Sequence, residues 1–146
     1  MAEIFPDEGI DAILTIWPKN GTNVGTVWMG LFTSQTSTTC PANSAVLLTS
    51  TGVTEATGTS YARQPITSGS WAGDAAGNPN GRATTAGTVT LATVGSGAWG
   101  TVNGFFLATA VSGGTAYCYS NFSDTTAIVT AQNDVIKVVP TVNFGA

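Results

Sequence analysis

Nucleophile–base chemistry has little to work with in this chain. Its 146 residues include no histidine, so neither a Ser–His nor a Cys–His pair can form, and no imidazole base is on offer. Acid–base work by paired carboxylates would need two of the eight acidic residues held at one cleft. Glu3, Asp7, Glu8 and Asp11 crowd the N-terminal segment, where they complement a helix start. Glu55, Asp74, Asp124 and Asp134 each sit beside turn residues, where such side chains commonly bond local backbone amides. Cys40 and Cys118 are two separated sulfurs that cannot complete a four-ligand zinc site without histidine. Asp74, Asn78 and Asn80 offer oxygens in a glycine-rich stretch, but their spacing is not that of an EF-hand and only one of them is ionised. The expectation is therefore no catalytic residue, no metal, no cofactor and no enzymatic activity.

Charge narrows the partners. Only 8% of the residues are Asp, Glu, Lys or Arg, against about 25% in an average soluble domain, and the net charge is −4. The four basic residues, Lys19, Arg63, Arg82 and Lys137, are scattered. Phosphate backbones need clustered cations, so nucleic acid is not an expected partner. Nor is a membrane, since no apolar run approaches the roughly 20 residues a spanning helix requires. The N-terminal MAEIFPDEG is acidic and is not followed by an apolar stretch and cleavage site, so it does not read as a secretory signal. Two reduced thiols are the favoured reading of the cysteines, with a Cys40–Cys118 disulfide left open. Asn20-Gly21-Thr22 and Asn121-Phe122-Ser123 match the glycosylation pattern, a weak signal in a Thr-rich chain. Thr, Ser, Gly and Asn must supply the surface, and such a surface loses little desolvation energy when it docks on another protein.

Periodicity assigns the elements that would carry this surface. Ile10, Ile13, Leu14 and Trp17 fall at helical spacing on one face, Pro6 suits a first turn, and Pro18 stops the run. The spacing predicts a short amphipathic helix over 6–17, with those four residues at 10–17 anchoring it to the core. Downstream the pattern is strands and turns. Strand-like runs are 26–34, 60–68, 87–94, 98–111, 115–123, 126–131 and 134–144. Pro65 confines its strand to an edge or a bulge, and a bend is expected at Gly104. Residues 72–84 read as the clearest loop, with turns at 95–97, 112–114 and Gln132–Asn133. Trp28, Trp71 and Trp99 could line a sugar-binding face, although such residues more often fill a small β-core. The predicted architecture is all-β: one domain over 1–146, an antiparallel β-sandwich or jelly roll. It comprises an N-terminal extension at 1–9, the helix, and a β-body at 24–144.

The runs VWMGLFTSQT, TGTSYARQPIT with Trp71 after it, AWGTVNGFFLA, YSNFSD and NDVIKVVPTVNF give the chain, from about Pro6 to Phe144, a pattern of aromatic strands and turns. In this it resembles small virion structural proteins of tailed bacteriophages. Among these it looks most like the jelly-roll capsid cement (decoration) proteins that form trimers at capsid three-fold positions. The resemblance implies a homotrimer that is assembled in the host cytoplasm, resides in the virion and docks on the major capsid protein. It carries over no catalytic residue. The acidic extension, with Glu3, Phe5, Asp7 and Glu8, is the candidate partner-binding segment, and 35–58 is a second candidate extension. Either segment could equally cover sheet edges of the fold itself. Two further readings stand beside the first: a tail, neck, baseplate or fibre component contacting the host, and a carbohydrate-binding or adhesive domain using Trp71 and residues 72–84.

Overall fold

The computed structural model describes residues 26–35, 53–67, 70–71, 75–78, 81–92, 99–122, 128–129, 131 and 133–144. Every paired strand among them is antiparallel. In chain order the strands are β1 (Val27–Gln35), β2 (Val53–Glu55), β3 (Gln64–Ile66), β4 (Ala75–Asn78), β5 (Gly81–Thr85) and β6 (Val89–Ala92), followed by β7 (Thr101–Val102), β8 (Gly104–Ala108), β9 (Ala116–Asn121), β10 (Ile128–Val129), β11 (Val135–Val138) and β12 (Thr141–Phe144). The anchor residues Ile10, Ile13, Leu14 and Trp17, the extension at 1–9 and Cys40 lie outside the described residues.

β1 organises the molecule. Aliphatic Val27, Met29 and Leu31 alternate with aromatic Trp28 and Phe32 in its first six residues, and it pairs with β8 from Trp28 to Phe32. β2 pairs with β1 around Phe32–Gln35, and β3 pairs with it around Val27–Met29. Both registers overlap that of β8, so β2 and β3 share the opposite edge of β1, end to end. β9 extends the sheet beyond β8. Shorter ribbons complete the structure: β6 with β11, β7 with β10, and β4–β5–β12.

Both faces of the central sheet are buried. On one, Met29, Leu31, Phe105 and Leu107 join Leu91 of β6, Val102 of β7, Ile136 and Val138 of β11, and Val142 of β12 in a single cluster that also holds Cys118. Burial of each large side chain there contributes roughly 1.5–3 kcal/mol. On the other, Phe32, Val53, Phe106, Ala108, Ala116 and Tyr119 form a smaller cluster.

Several sequence expectations are corrected. Within 72–84, expected to be loop, β4 and β5 form a hairpin whose register places Asn78 opposite Gly81, and β5 pairs on its other side with β12. That non-local pairing leaves no local mark in a run of small residues. The run 98–111 breaks at Asn103, not at Gly104, which lies inside β8. The run 134–144 splits into β11 and β12 around Val139 and Pro140. Residues 53–55 of the second candidate extension are a strand of the central sheet, with Val53 and Ala56 buried, so this part covers the edge of β1. Pro65 does lie in an outer strand among the described residues, where its missing N–H costs no ladder bond on the far side.

Candidate functional site

The densest polar chemistry among the described residues lies where β2 and β3 leave a gap along β1. The connection between those strands, 56–63, swings out and returns, bringing Glu55, Tyr61 and Arg63 together. The gap falls at Leu31. Its carbonyl accepts a hydrogen bond from the Ala56 N–H at 2.9 Å, and its own N–H donates to the Tyr61 hydroxyl at 2.9 Å. The phenol oxygen thus stands in for the carbonyl that a continuous edge strand would have supplied. Its single proton reaches Glu55 Oε1 at 3.0 Å, the closer of its two acceptors; the Leu31 carbonyl lies at 3.3 Å. The Tyr61 ring meets Trp99 edge-on, with centroids 5.4 Å apart, and the Trp99 indole N–H donates to the Thr59 carbonyl.

Arg63 completes the cluster. Its side chain is 2% exposed and that of Glu55 23%. Nε donates to Glu55 Oε1 at 2.8 Å and Nη2 to Oε2 at 2.7 Å, the bidentate geometry that makes such pairs strong. Nη1 donates to the carbonyls of Ala110 at 2.7 Å and Gly113 at 2.8 Å, in the connection between β8 and β9. The guanidinium carbon lies 4.9 Å from the centre of the Phe106 ring, a cation–π contact. Burial, and then the Glu55 carboxylate, push the Tyr61 hydroxyl well above its ordinary ionisation range.

Both Glu55 oxygens are taken up by Arg63, and one also accepts from Tyr61. Three of the roughly four lone-pair sites of this carboxylate are thereby engaged in holding structure. In the sequence Glu55 reads as a residue beside a turn and Arg63 as one of four scattered cations. The signal that could have joined them was their separation of eight residues across an out-and-back connection between two short strands. Asp134 does behave as a turn residue: its carboxylate accepts from the Ala131 N–H at 2.6 Å next to Asn133, which has φ of 64°. Trp99 is buried, and Trp71 is half-buried against the larger core cluster, so both serve packing. Glu3, Phe5, Asp7 and Glu8 lie outside the described residues, as do Asp74 and Asn80. Among the described residues no three His, Cys, Asp or Glu side chains gather as metal ligands. A shallow groove of about 230 Å³ is lined by neutral residues including Gln64, Pro65, Ser70, Thr88 and Thr90.

Among the described residues that are exposed, Lys137 is the one charged side chain; the rest are chiefly Thr, Ser, Gly, Ala and Val. No family model matches this chain, and no curated protein or solved structure is significantly similar to it.

Proposed function

We propose that this chain is a structural component of a tailed-phage virion, most closely a capsid cement protein that docks on major capsid subunits and stabilises the head. The observation that carries the proposal is the scarcity of charge, with only 8% of the residues Asp, Glu, Lys or Arg. A protein that lives alone in solution usually holds itself apart from others with mixed surface charge. One built to be covered gains from neutral hydroxyls and small apolar groups, because docking then strips water from few ions. Burying Arg63 against Glu55 is consistent with that design, since it removes two more charges from any docking face. The resemblance of the strand pattern to cement proteins supports the virion setting and favours a homotrimer, while the net charge of −4 with only four scattered basic residues speaks against a nucleic-acid partner. On this reading the antiparallel sheets close around their shared core as a jelly-roll sandwich, with the amphipathic helix over 6–17 packed on it.

The test is the number of copies per purified virion. A cement protein is present in hundreds of copies and remains on heads separated from tails. A count in the tens or below, with the protein retained on isolated tails, overturns the cement assignment in favour of a tail or fibre component. Absence from the particle removes the virion reading altogether.

A further inference from the structure

Two connections far apart in sequence meet at one guanidinium. Residues 56–63 lead from β2 to β3, and residues 109–115 lead from β8 to β9. Most of each is exposed: Thr57 to Ser60 in the first, Val111 to Gly114 in the second. Exposed connections that bury little are the parts of a fold that open first. Arg63 ends the first connection, yet its side chain is only 2% exposed, with Nη1 bonded to the Ala110 and Gly113 carbonyls of the second. The second is closed at its neck, where the Thr109 N–H donates to the Thr115 carbonyl and the Thr115 N–H to Thr109 Oγ1. Beyond that neck, among the described residues, the hydrogen bonds that tie 110–114 to another element are the two from Arg63.

This arrangement makes the ion pair and the connection above it depend on each other. With 110–114 in place, Nη1 spends its hydrogens on carbonyls, water is kept off, and Glu55 faces a buried cation that it alone neutralises. If 110–114 lifts, water reaches the guanidinium and the contact becomes an exposed ion pair, a kind that contributes little. In the other direction, a buried guanidinium without its carboxylate is strongly drawn to solvent, and on leaving it drops both carbonyls. Coupling of this sort acts equally both ways. We infer that 110–114 is a lid over the Glu55–Arg63 pair, opening locally while β8 stays in its sheet, and that the charge on Glu55, more than fifty residues earlier in the chain, sets how often it opens. The inference concerns the chain alone and does not depend on the docking function.

Amide hydrogen exchange on the intact protein, read residue by residue by NMR, tests this. In the wild type the Thr109 and Thr115 amides exchange faster than those of Phe105 to Leu107 in β8, as local opening requires. Glu55→Gln accelerates Thr109 and Thr115 at least about tenfold, whereas Asp134→Asn, which removes a carboxylate elsewhere, changes them less than about twofold. If Glu55→Gln does not fold, Glu55→Asp, which keeps the charge but draws it back by one methylene, accelerates the same amides at least about threefold. Thr109 and Thr115 exchanging no faster than β8 in the wild type would mean that 110–114 opens only with the sheet, and the inference falls. Unchanged rates in the Glu55 variant overturn it as well. An equal acceleration in Asp134→Asn does the same, because the effect then follows the loss of any carboxylate.

Discussion

At the scale of single residues, the Glu55–Tyr61–Arg63 cluster makes opposite demands of its members. Arg63 is buried and must keep its counter-charge, so Glu55→Gln should cost about 2–3 kcal/mol, somewhat below the figure for a fully buried pair because Glu55 is 23% exposed. Urea unfolding measures this, and a change under about 0.5 kcal/mol would show that solvent already screens the pair. Tyr61 must stay neutral. An unfolded tyrosine ionises near pH 10, whereas the folded protein holds the Tyr61 proton beyond that. Above pH 10 the unfolded state therefore binds fewer protons than the native one, and stability falls as pH rises, by about 1.4 kcal/mol per pH unit for this group. Below pH 10 the contribution is fully present. Tyr117, raised by burial alone, adds a second contribution of the same sign. Tyr61→Phe should lose about 1–2 kcal/mol at neutral pH, because the Leu31 N–H loses its acceptor, and should flatten the alkaline decline. Chemical denaturation at pH 7 and between pH 10 and 11 tests both effects, and an unchanged alkaline slope in the variant would assign the decline elsewhere.

At the scale of elements, the central sheet is fitted together by two glycines and two phenylalanines. Gly30 lies opposite Phe106, and Phe32 lies opposite Gly104, in the β1–β8 register. A Cβ on Gly30 would sit 2.3 Å from the Phe106 ring, and one on Gly104 would sit 2.4 Å from the Phe32 ring and 2.2 Å from the Ser120 carbonyl. Each ring therefore occupies the space that a side chain on the facing strand would claim. Gly104→Ala is expected to destabilise the protein by about 1–3 kcal/mol or more, because the obstruction includes backbone and cannot be relieved by a rotamer change alone. Thermal unfolding reads this directly, and a neutral result would mean that β8 and β9 can separate slightly without loss. Just before Gly104, Asn103 breaks the strand without leaving the sheet. Its N–H donates to the Phe32 carbonyl, its side-chain amide to the Thr33 carbonyl, and its own carbonyl accepts from the Phe122 N–H. The interruption of the run falls at the residue beside the glycine, not at the glycine itself.

At the scale of the whole molecule, the shortage of charged residues, 8% of the chain, governs how the protein should associate. With four basic residues in the whole chain, salt has few ion pairs to screen, so under the proposed docking function binding to heads should change by less than about threefold between roughly 0.05 and 0.5 M salt. The acidic residues Glu3, Asp7, Glu8 and Asp11 are the exception built into the sequence. Removing residues 1–9 takes away Glu3, Asp7 and Glu8, and most of any salt-sensitive part of the binding should go with them. Affinity that collapses with salt even in the truncated protein would sink the argument from low charge. Titration calorimetry or co-sedimentation with heads at two ionic strengths makes the comparison.

The amino-acid sequence by itself determined the class of this protein. Alternation in VWMGLFTS and GTVTLATV, glycine and asparagine at the turns, and Pro65 in an outer strand are local signals, carried by backbone geometry within a few residues, and antiparallel strands follow from them. The low charge was equally legible, since composition needs no fold. What only the tertiary structure decided depends on residues distant in sequence. The β5–β12 pairing turns an apparent loop into a hairpin, because ladder bonds are supplied by a partner strand whatever its sequence separation. Gly104 reads as a bend until the Phe32 ring, brought in from β1, explains why it has no side chain. Glu55 and Arg63 are ordinary polar residues of a Thr-rich stretch until the gap between β2 and β3 encloses them. A guanidinium stays buried only where a carboxylate, two carbonyls and an aromatic face converge on it, and that convergence exists only once the chain has folded.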